Sequence, residues 1–207
     1  MDNKKIFLNA LKQELSPKLR EIGFKGSGQN FRRTKNEVIN VLNIQVNRYG
    51  GSCAVNLGLH LTFLPMSSNT ELPNLKKIQE YDCEFRTRLA PNNKSDYWWK
   101  YDDFLRSPEK KAQHLIDTYF KFGETLFRKF DSVRKIAAMF TIDDFKKKDW
   151  LYVFGDVTLQ RGVLTMARIH CHLGNKSRAK EFAIFGLENL GRATILRPQY
   201  EEILNAT

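Results

Sequence analysis

Residues 37–64, EVINVLNIQVNRYGGSCAVNLGLHLTFL, decide the fold. In the second half of this stretch Cys53, Val55, Leu57, Leu59, Leu61 and Phe63 fall on one face, and Asn56, Gly58, His60 and Thr62 on the other. That is a period of two, the mark of a strand with one buried side. In the first half Val38, Leu42, Ile44 and Val46 share a face, while Asn43, Gln45 and Asn47 take the opposite one. A turn over Arg48-Tyr49-Gly50-Gly51, centred on Tyr49 and Gly50, sets Gln45 opposite Ala54 and Asn43 opposite Asn56. The two apolar faces then coincide, so pattern and turn agree on one register. The stretch reads as a long antiparallel hairpin with one apolar face and one amide-rich face.

Working outward, residues 4–22 carry Leu8, Leu11, Leu15, Leu19 and Ile22 at steps of three and four, an amphipathic helix. Ser16-Pro17 either kinks it or starts a second helix with Ser16 as cap. Gly23 suits the left-handed position that ends a helix. Gly26-Ser27-Gly28 reads as a loop, since its spacing is no phosphate-binding fingerprint. Residues 29–35 form a first strand. A polar loop follows the hairpin from Pro65 to Pro73, and a further strand fits 82–90, with Cys83, Phe85, Thr87 and Leu89 apolar and Glu84, Arg86 and Arg88 opposite. Residues 91–106 hold Pro91-Asn92-Asn93 and an aromatic cluster, Tyr97, Trp98, Trp99, Tyr101 and Phe104.

The period then becomes helical. Ser107-Pro108-Glu109 is a cap, a first-position proline and a carboxylate at the positive helix end. A long amphipathic helix runs to about residue 130. Shorter helices fit 132–140 and 142–148, and two longer ones fit 157–173 and 176–190, closed by Gly174 and Gly191. Arg197-Pro198 begins a last one. The pair around Gly174 resembles one helical hairpin of a tetratricopeptide array, but no second copy stands at the required period of about 34 residues. Strands first and helices after give an α+β class: an antiparallel sheet of about four strands with an N-terminal helix and a C-terminal set of helices. The expected organisation is a sheet domain over 1–148, including the helix of 108–130, with a C-terminal helical segment over 149–207 packed on it.

Several short pieces occur in a fixed order: Gly23-Phe24-Lys25, Asn30-Phe31-Arg32-Arg33, Asn43-Ile44-Gln45, Val55-Asn56-Leu57-Gly58, Arg86-Thr87-Arg88-Leu89 and Asp96-Tyr97-Trp98-Trp99. As an ordered set across residues 5 to 130 they resemble the bacterial domain-of-unknown-function family numbered 4304. The resemblance implies a soluble α+β protein, mainly of bacteria. It supplies no activity, cofactor or catalytic residue.

The 207 residues carry 34 Lys and Arg against 23 Asp and Glu, a net charge of +11. The excess is spread evenly, so there is no basic arm. Such a chain suits nucleic acid, an acidic protein or an anionic surface, or the charge serves solubility alone. Three cysteines, Cys53, Cys83 and Cys171, form no CxxC pair. The start, Met1-Asp2-Asn3-Lys4-Lys5, leads into an amphipathic segment, not an export signal, and no run approaches the ~18 apolar residues of a membrane span. A reducing cytoplasm is the expectation.

No catalytic set emerges. His170 and His172 sit two apart on a helix and point about 200° from each other, so they cannot share an ion. Cys53 and Cys83 fall on apolar strand faces, where a thiol behaves as a small hydrophobe. Asp102-Asp103 and Asp143-Asp144 lack a partner at a recognisable spacing, and Thr141 caps the helix of the second pair. No catalytic residue, metal or cofactor is assigned.

The polar sheet face is the stronger constellation. Asn43, Gln45, Asn56 and His60 lie on it by register. If the flanking strands keep their apolar residues inward, Arg32, Arg86 and Arg88 join them. Trp98 and Trp99 stand at its rim. Amides and guanidinium groups on one surface can hydrogen-bond an anion or base edges, and indole rings can stack there. The competing reading is an ordinary solvated sheet face. Asn and Gln are poor strand formers, however, and several in register ask for a reason. The C-terminal helices also need somewhere to pack, and this face is the obvious vacancy. Two functions follow: a non-catalytic binding protein, an immunity-type protein among the forms it could take, that meets a macromolecular partner such as an acidic protein, or an RNA- or DNA-binding protein. An enzyme ranks behind both.

Overall fold

The computed structural model describes residues 2–69, 71–92, 96–101, 107–148 and 157–207. The Asp102-Asp103 pair, Phe104 and the expected boundary at 148/149 lie at or outside those limits. The fold is α+β. The sheet has strands β1 (Lys25–Ser27), β2 (Asn30–Lys35), β3 (Val38–Val46), β4 (Ser52–Leu61) and β5 (Phe85–Arg88) in that spatial order, all antiparallel. β6 (Trp99–Lys100) pairs β4 where β5 has ended.

The central hairpin has the register that its pattern dictates, with Gln45 opposite Ala54 and Asn43 opposite Asn56. Gly50 and Gly51 take φ of +83° and +73°, the left-handed region that glycine enters without steric cost. The Asn47 side chain accepts from the Tyr49 N–H at 2.9 Å, tying the turn down. The β2–β3 turn places Asn36 and Glu37 at φ of +49° and +64°, the two-residue geometry that matches strand twist. Two expectations change here. Residues 25–27 form a short edge strand, not a loop. Residues 80–82 form a 3-10 turn, held by the Asp82 carboxylate on the Gln79 N–H at 2.8 Å, so the following strand starts late. That turn moves Cys83 off the apolar face expected for it and onto the opposite one.

The N-terminal helix α1 (Asn3–Ala10) starts under Asp2, whose carboxylate accepts from the N–H groups of Lys4 and Lys5. A π turn, Leu11–Leu15, joins it to α2 (Ser16–Glu21). Ser16 continues the helix without capping it. The widened turn lies just ahead of Pro17, whose ring in a regular helix would meet the carbonyl of Gln13. α3 (Pro108–Thr118) begins under Ser107 as expected, and a second π turn, Tyr119–Gly123, carries it into α4 (Glu124–Lys129). The remaining helices are α5 (Val133–Ala137), α6 (Ile142–Lys147), α7 (Leu159–His172), α8 (Lys176–Glu188) and α9 (Arg197–Ala206).

The apolar sheet face is shared between two cores. Leu42, Ile44, Val55 and Leu57 meet Phe7, Leu11, Leu15, Leu115 and Tyr119 of the first helices and α3. Val38, Leu59, Leu61 and Phe85, at the other end of the same face, meet Ile136, Phe145, Val163, Met166 and Phe182. The C-terminal helices therefore extend the apolar layer and do not fill the vacancy on the polar face. Burial explains the choice: that end of the sheet offers large aliphatic side chains, and apolar area removed from water contributes about 25 cal/mol per Å². Part of the opposite face is closed by the segment after the hairpin, whose Met66, Ile78 and Cys83 pack on Ile39 and Val41. Gly58 permits that approach, since a Cβ there would lie 2.7 Å from the Cys83 Sγ and 3.3 Å from the Glu80 Cα.

Two buried carboxylates tie helices to sheet. Glu124 accepts from Arg33 at 3.0 Å, from the Tyr119 hydroxyl at 3.0 Å and from Arg128 at 3.2 Å. Arg33 also donates twice to the Asn40 side-chain Oδ1 and once to the Ile22 backbone carbonyl, with its guanidinium 4.5 Å from the Phe24 ring. Glu84 accepts from Arg161 at 2.6 and 3.0 Å and from the Thr165 hydroxyl at 3.1 Å, joining the start of β5 to α7.

Candidate functional site

Register partners on neighbouring strands present their side chains to the same face. One row across the sheet is therefore Ser27, Asn30, Asn43, Asn56 and Arg88, and the next is Lys25, Arg32, Val41, Gly58 and Arg86. The first row is a chain of side-chain hydrogen bonds. Asn43 Nδ2 donates to Asn30 Oδ1 at 2.8 Å, and Asn56 Nδ2 donates to Asn43 Oδ1 at 3.1 Å and to Gln45 Oε1 at 3.0 Å. Arg88 Nε donates to Asn56 Oδ1 at 3.2 Å and Nη2 to Gln45 Oε1 at 3.3 Å. Its Nη1 donates to Asp96, and its guanidinium lies 5.1 Å from the Trp98 ring. The amides thus have a mutual partner each, which offsets their poor strand propensity. Gln45 is exposed, while Asn43, Arg88 and Trp98 are half-buried.

The other expected members behave differently. His60 is on this face but is wholly buried. Its Nδ1 accepts from the Glu84 N–H at 3.2 Å, so Nε2 carries the proton and donates to the Leu64 carbonyl at 3.1 Å. Burial holds its pKa below the ordinary histidine value. His60 is a bracing residue beneath the surface and reaches no ligand. Trp99, expected at the rim, is 2% exposed in the first core, and its indole N–H donates to His114 at 3.2 Å. The strand pairing of Cys53 with Trp99 turns that ring inward and leaves Trp98 outside. Arg32 donates to the carbonyls of Ile78 and Lys77, capping the segment that closes over Ile39 and Val41. Arg86 lies 3.9 Å from Glu80. The open part of the face is thus Asn30, Asn43, Gln45, Arg88 and Trp98, with the buried Asn56 bonded among them.

Each arginine of this face stands near a carboxylate, Arg88 at Asp96, Arg86 at Glu80 and Arg32 beside Asp82, while Lys25 at the edge of the second row is exposed. Asn30 and Asp96 were absent from the sequence-derived set. The parity of the first strand finds Asn30 once its register is known; Asp96 stands in one of the ordered pieces of the family resemblance, but no local pattern pairs it with Arg88. His170 and His172 do diverge, the one stacked on Phe182 at 5.3 Å and the other on Phe63 at 3.6 Å. Among the described residues no three His, Cys, Asp or Glu side chains are grouped to hold a metal. Cys53 is buried, which raises its thiol to about 12, and Cys83 is raised by burial too. A cleft of about 550 Å³ between α6, α7 and α8 is lined by Phe145, Val157, Leu159 and Phe185 together with Lys146, Lys148, Thr158 and Asn189.

Among the described residues no helix is long and apolar enough to cross a membrane. A family model described as "Domain of unknown function (DUF4304)" matches residues 15–119, half of the chain. No curated protein and no solved structure matches it. The chain belongs to this family.

Proposed function

We propose that this member of the domain-of-unknown-function family 4304 is a non-catalytic binding protein of the bacterial cytoplasm. In this reading it meets another protein on the polar face of its sheet, and an immunity-type role is one form of it. One observation supports it above others. The amide row from Asn30 to Arg88 is bonded side chain to side chain across four strands, and the described helices pack on the opposite face of the sheet. A merely solvated face would be served by threonine or lysine; fixed amides present donors and acceptors at set positions, which suits recognition. The pairing of its arginines with carboxylates favours a protein partner over RNA or DNA, because phosphate binding draws on guanidinium groups free to neutralise it. The free thiols fit a reducing compartment.

The test uses the full chain, tagged and purified at low salt from its own source, beside a Gln45→Trp variant. Gln45 is exposed and tryptophan suits a strand, so the change blocks the face without unfolding it. The expected result is a stoichiometric protein partner held by the wild type and lost from the variant, with melting temperatures within about 2–4 °C of each other, since Gln45 gives up two hydrogen bonds at the surface. An identical set of bound proteins on both overturns the reading. Heterogeneous nucleic acid that is released steeply with salt establishes the RNA- or DNA-binding alternative instead.

A further inference from the structure

We infer that Arg88 is the anchor by which this face takes a carboxylate side chain of its protein partner, and that Asp96 holds the place of that carboxylate in the unbound chain. The inference rests on the binding reading above and names the chemistry of the contact. Arg88 is fixed on three sides by its own molecule. Asn56 accepts from Nε, Gln45 accepts from Nη2, and Trp98 lies against the guanidinium plane. A planar fork held this way has already lost its rotamer freedom, so a further anion binds at little entropic cost. Of the three oxygen partners, only Asp96 stands outside the sheet. Asn56 is 8% exposed and belongs to the amide row; the Asp96 side chain is 61% exposed and carries a full charge.

An ion pair so open to water biases the equilibrium by roughly two- to fivefold at most. A carboxylate presented by a partner replaces it like for like while Asp96 returns to solvent, and the local charge is unchanged. A phosphate chain does not fit in the same way. The neighbouring arginines Arg86 and Arg32 already face Glu80 and Asp82, so a series of phosphates meets a carboxylate beside each guanidinium. The surface therefore suits one acidic side chain set among neutral hydrogen-bonding groups, the composition of a protein interface with a single charged centre.

The experiment measures anisotropy of a fluorescein-labelled glutamate-rich peptide against the full chain at low ionic strength. Wild type is compared with Asp96→Asn, with Asp143→Asn and with Asp96→Asn/Arg88→Lys. Asp143 is an exposed carboxylate on α6, so its change controls for net charge. The expected result is a gain of about two- to fivefold for Asp96→Asn over Asp143→Asn, lost when Arg88 becomes lysine. Equal behaviour of the two single variants overturns the inference, as does a gain that survives Arg88→Lys or a probe that binds none of the chains. The comparison of single variants decides the matter even if the lysine variant folds poorly. If Gln45→Trp releases the natural partner while the two asparagine variants behave alike, the face is an interface with a different anchor and only this inference falls. If Gln45→Trp leaves the partner bound, both fall.

Discussion

Replacing Arg33 by methionine removes the cation from the larger buried polar cluster and keeps most of the side-chain volume. The Arg33 side chain is 14% exposed and that of Glu124 only 5%. The change strips one of the three partners of Glu124, both donors seen at Asn40 Oδ1 and the donor to the Ile22 carbonyl. A buried ion left without its counter-charge costs about 3–5 kcal/mol. Tyr119 and Arg128 still reach Glu124, and Arg128 is 72% exposed, so the low end, about 3 kcal/mol, is expected. For a chain of this length each kcal/mol moves the melting temperature by about 2–4 °C, which gives a fall of about 6–12 °C. The second arm is Arg33→Met with Glu124→Gln. Removing the stranded charge should return at least half of the loss, because the penalty lies in the uncompensated ion and not in lost packing. Urea unfolding followed by circular dichroism, with calorimetry for the melting temperature, measures both. A single variant that loses less than about 1 kcal/mol refutes the reasoning. So does a double variant no more stable than the sum of the two single changes.

Acid should weaken the fold through His60. Burial keeps its folded pKa below the unfolded value of about 6.5, so its contribution is complete above that value and declines as pH falls below it toward the folded one. His60→Gln should flatten the stability slope between about pH 7 and 5, and an unchanged slope removes His60 from the account. Gly58→Ala should cost about 1–3 kcal/mol, because the new Cβ would meet the Cys83 Sγ at 2.7 Å and backbone of the closing segment behind it. Thermal melts of Gly58→Ala with and without Cys83→Ala test this: the second change should recover part of the loss. In the native protein an aromatic disulfide reagent should titrate Cys171 first, with Cys53 and Cys83 reacting only on unfolding, since both are buried with raised thiol pKa values. Early reaction of Cys53 would contradict its place in the core.

The hairpin was readable to the residue because two constraints coincide in it, a period of two and a glycine pair that fixes the turn. β1 and β6 were not readable. Three residues and two residues carry no period, and Gly26-Ser27-Gly28 has the composition of a turn. Cys83 was misplaced because the Asp82 cap builds a 3-10 turn and resets the alternation before Phe85. The buried clusters join positions 91 and 77 residues apart, Arg33 with Glu124 and Glu84 with Arg161, and local pattern carries no such information. Glu124 has a local cause as well. The π turn after Tyr119 shifts the helix by a residue, so that a side chain five positions on meets the tyrosine hydroxyl. For the site, parity placed Asn43, Gln45, Asn56 and Arg88 on one face. It could not show that His60 and Arg32 lie under a segment folding back over them, because that cover comes from residues 66–83.

The strand order from β1 to β4 is the order of the chain, and this matters while the protein is being made. Each hairpin closes as soon as its second strand is available, in about 1–10 μs, whereas a ribosome adds only about 5–20 residues per second. Helix α1 precedes the strands and can shelter Leu42 and Leu57 early. The far end of the same face, Val38, Leu59 and Leu61, is covered by α5 to α8, which begin about 70 to 115 residues after β4 ends. That distance is on the order of several seconds to twenty seconds of synthesis at those rates. A formed hairpin with an uncovered aliphatic end is the state in which nascent chains on one message meet one another. The burden on chaperones therefore falls on the interval before α7 emerges, and a pause in translation within that interval lengthens it.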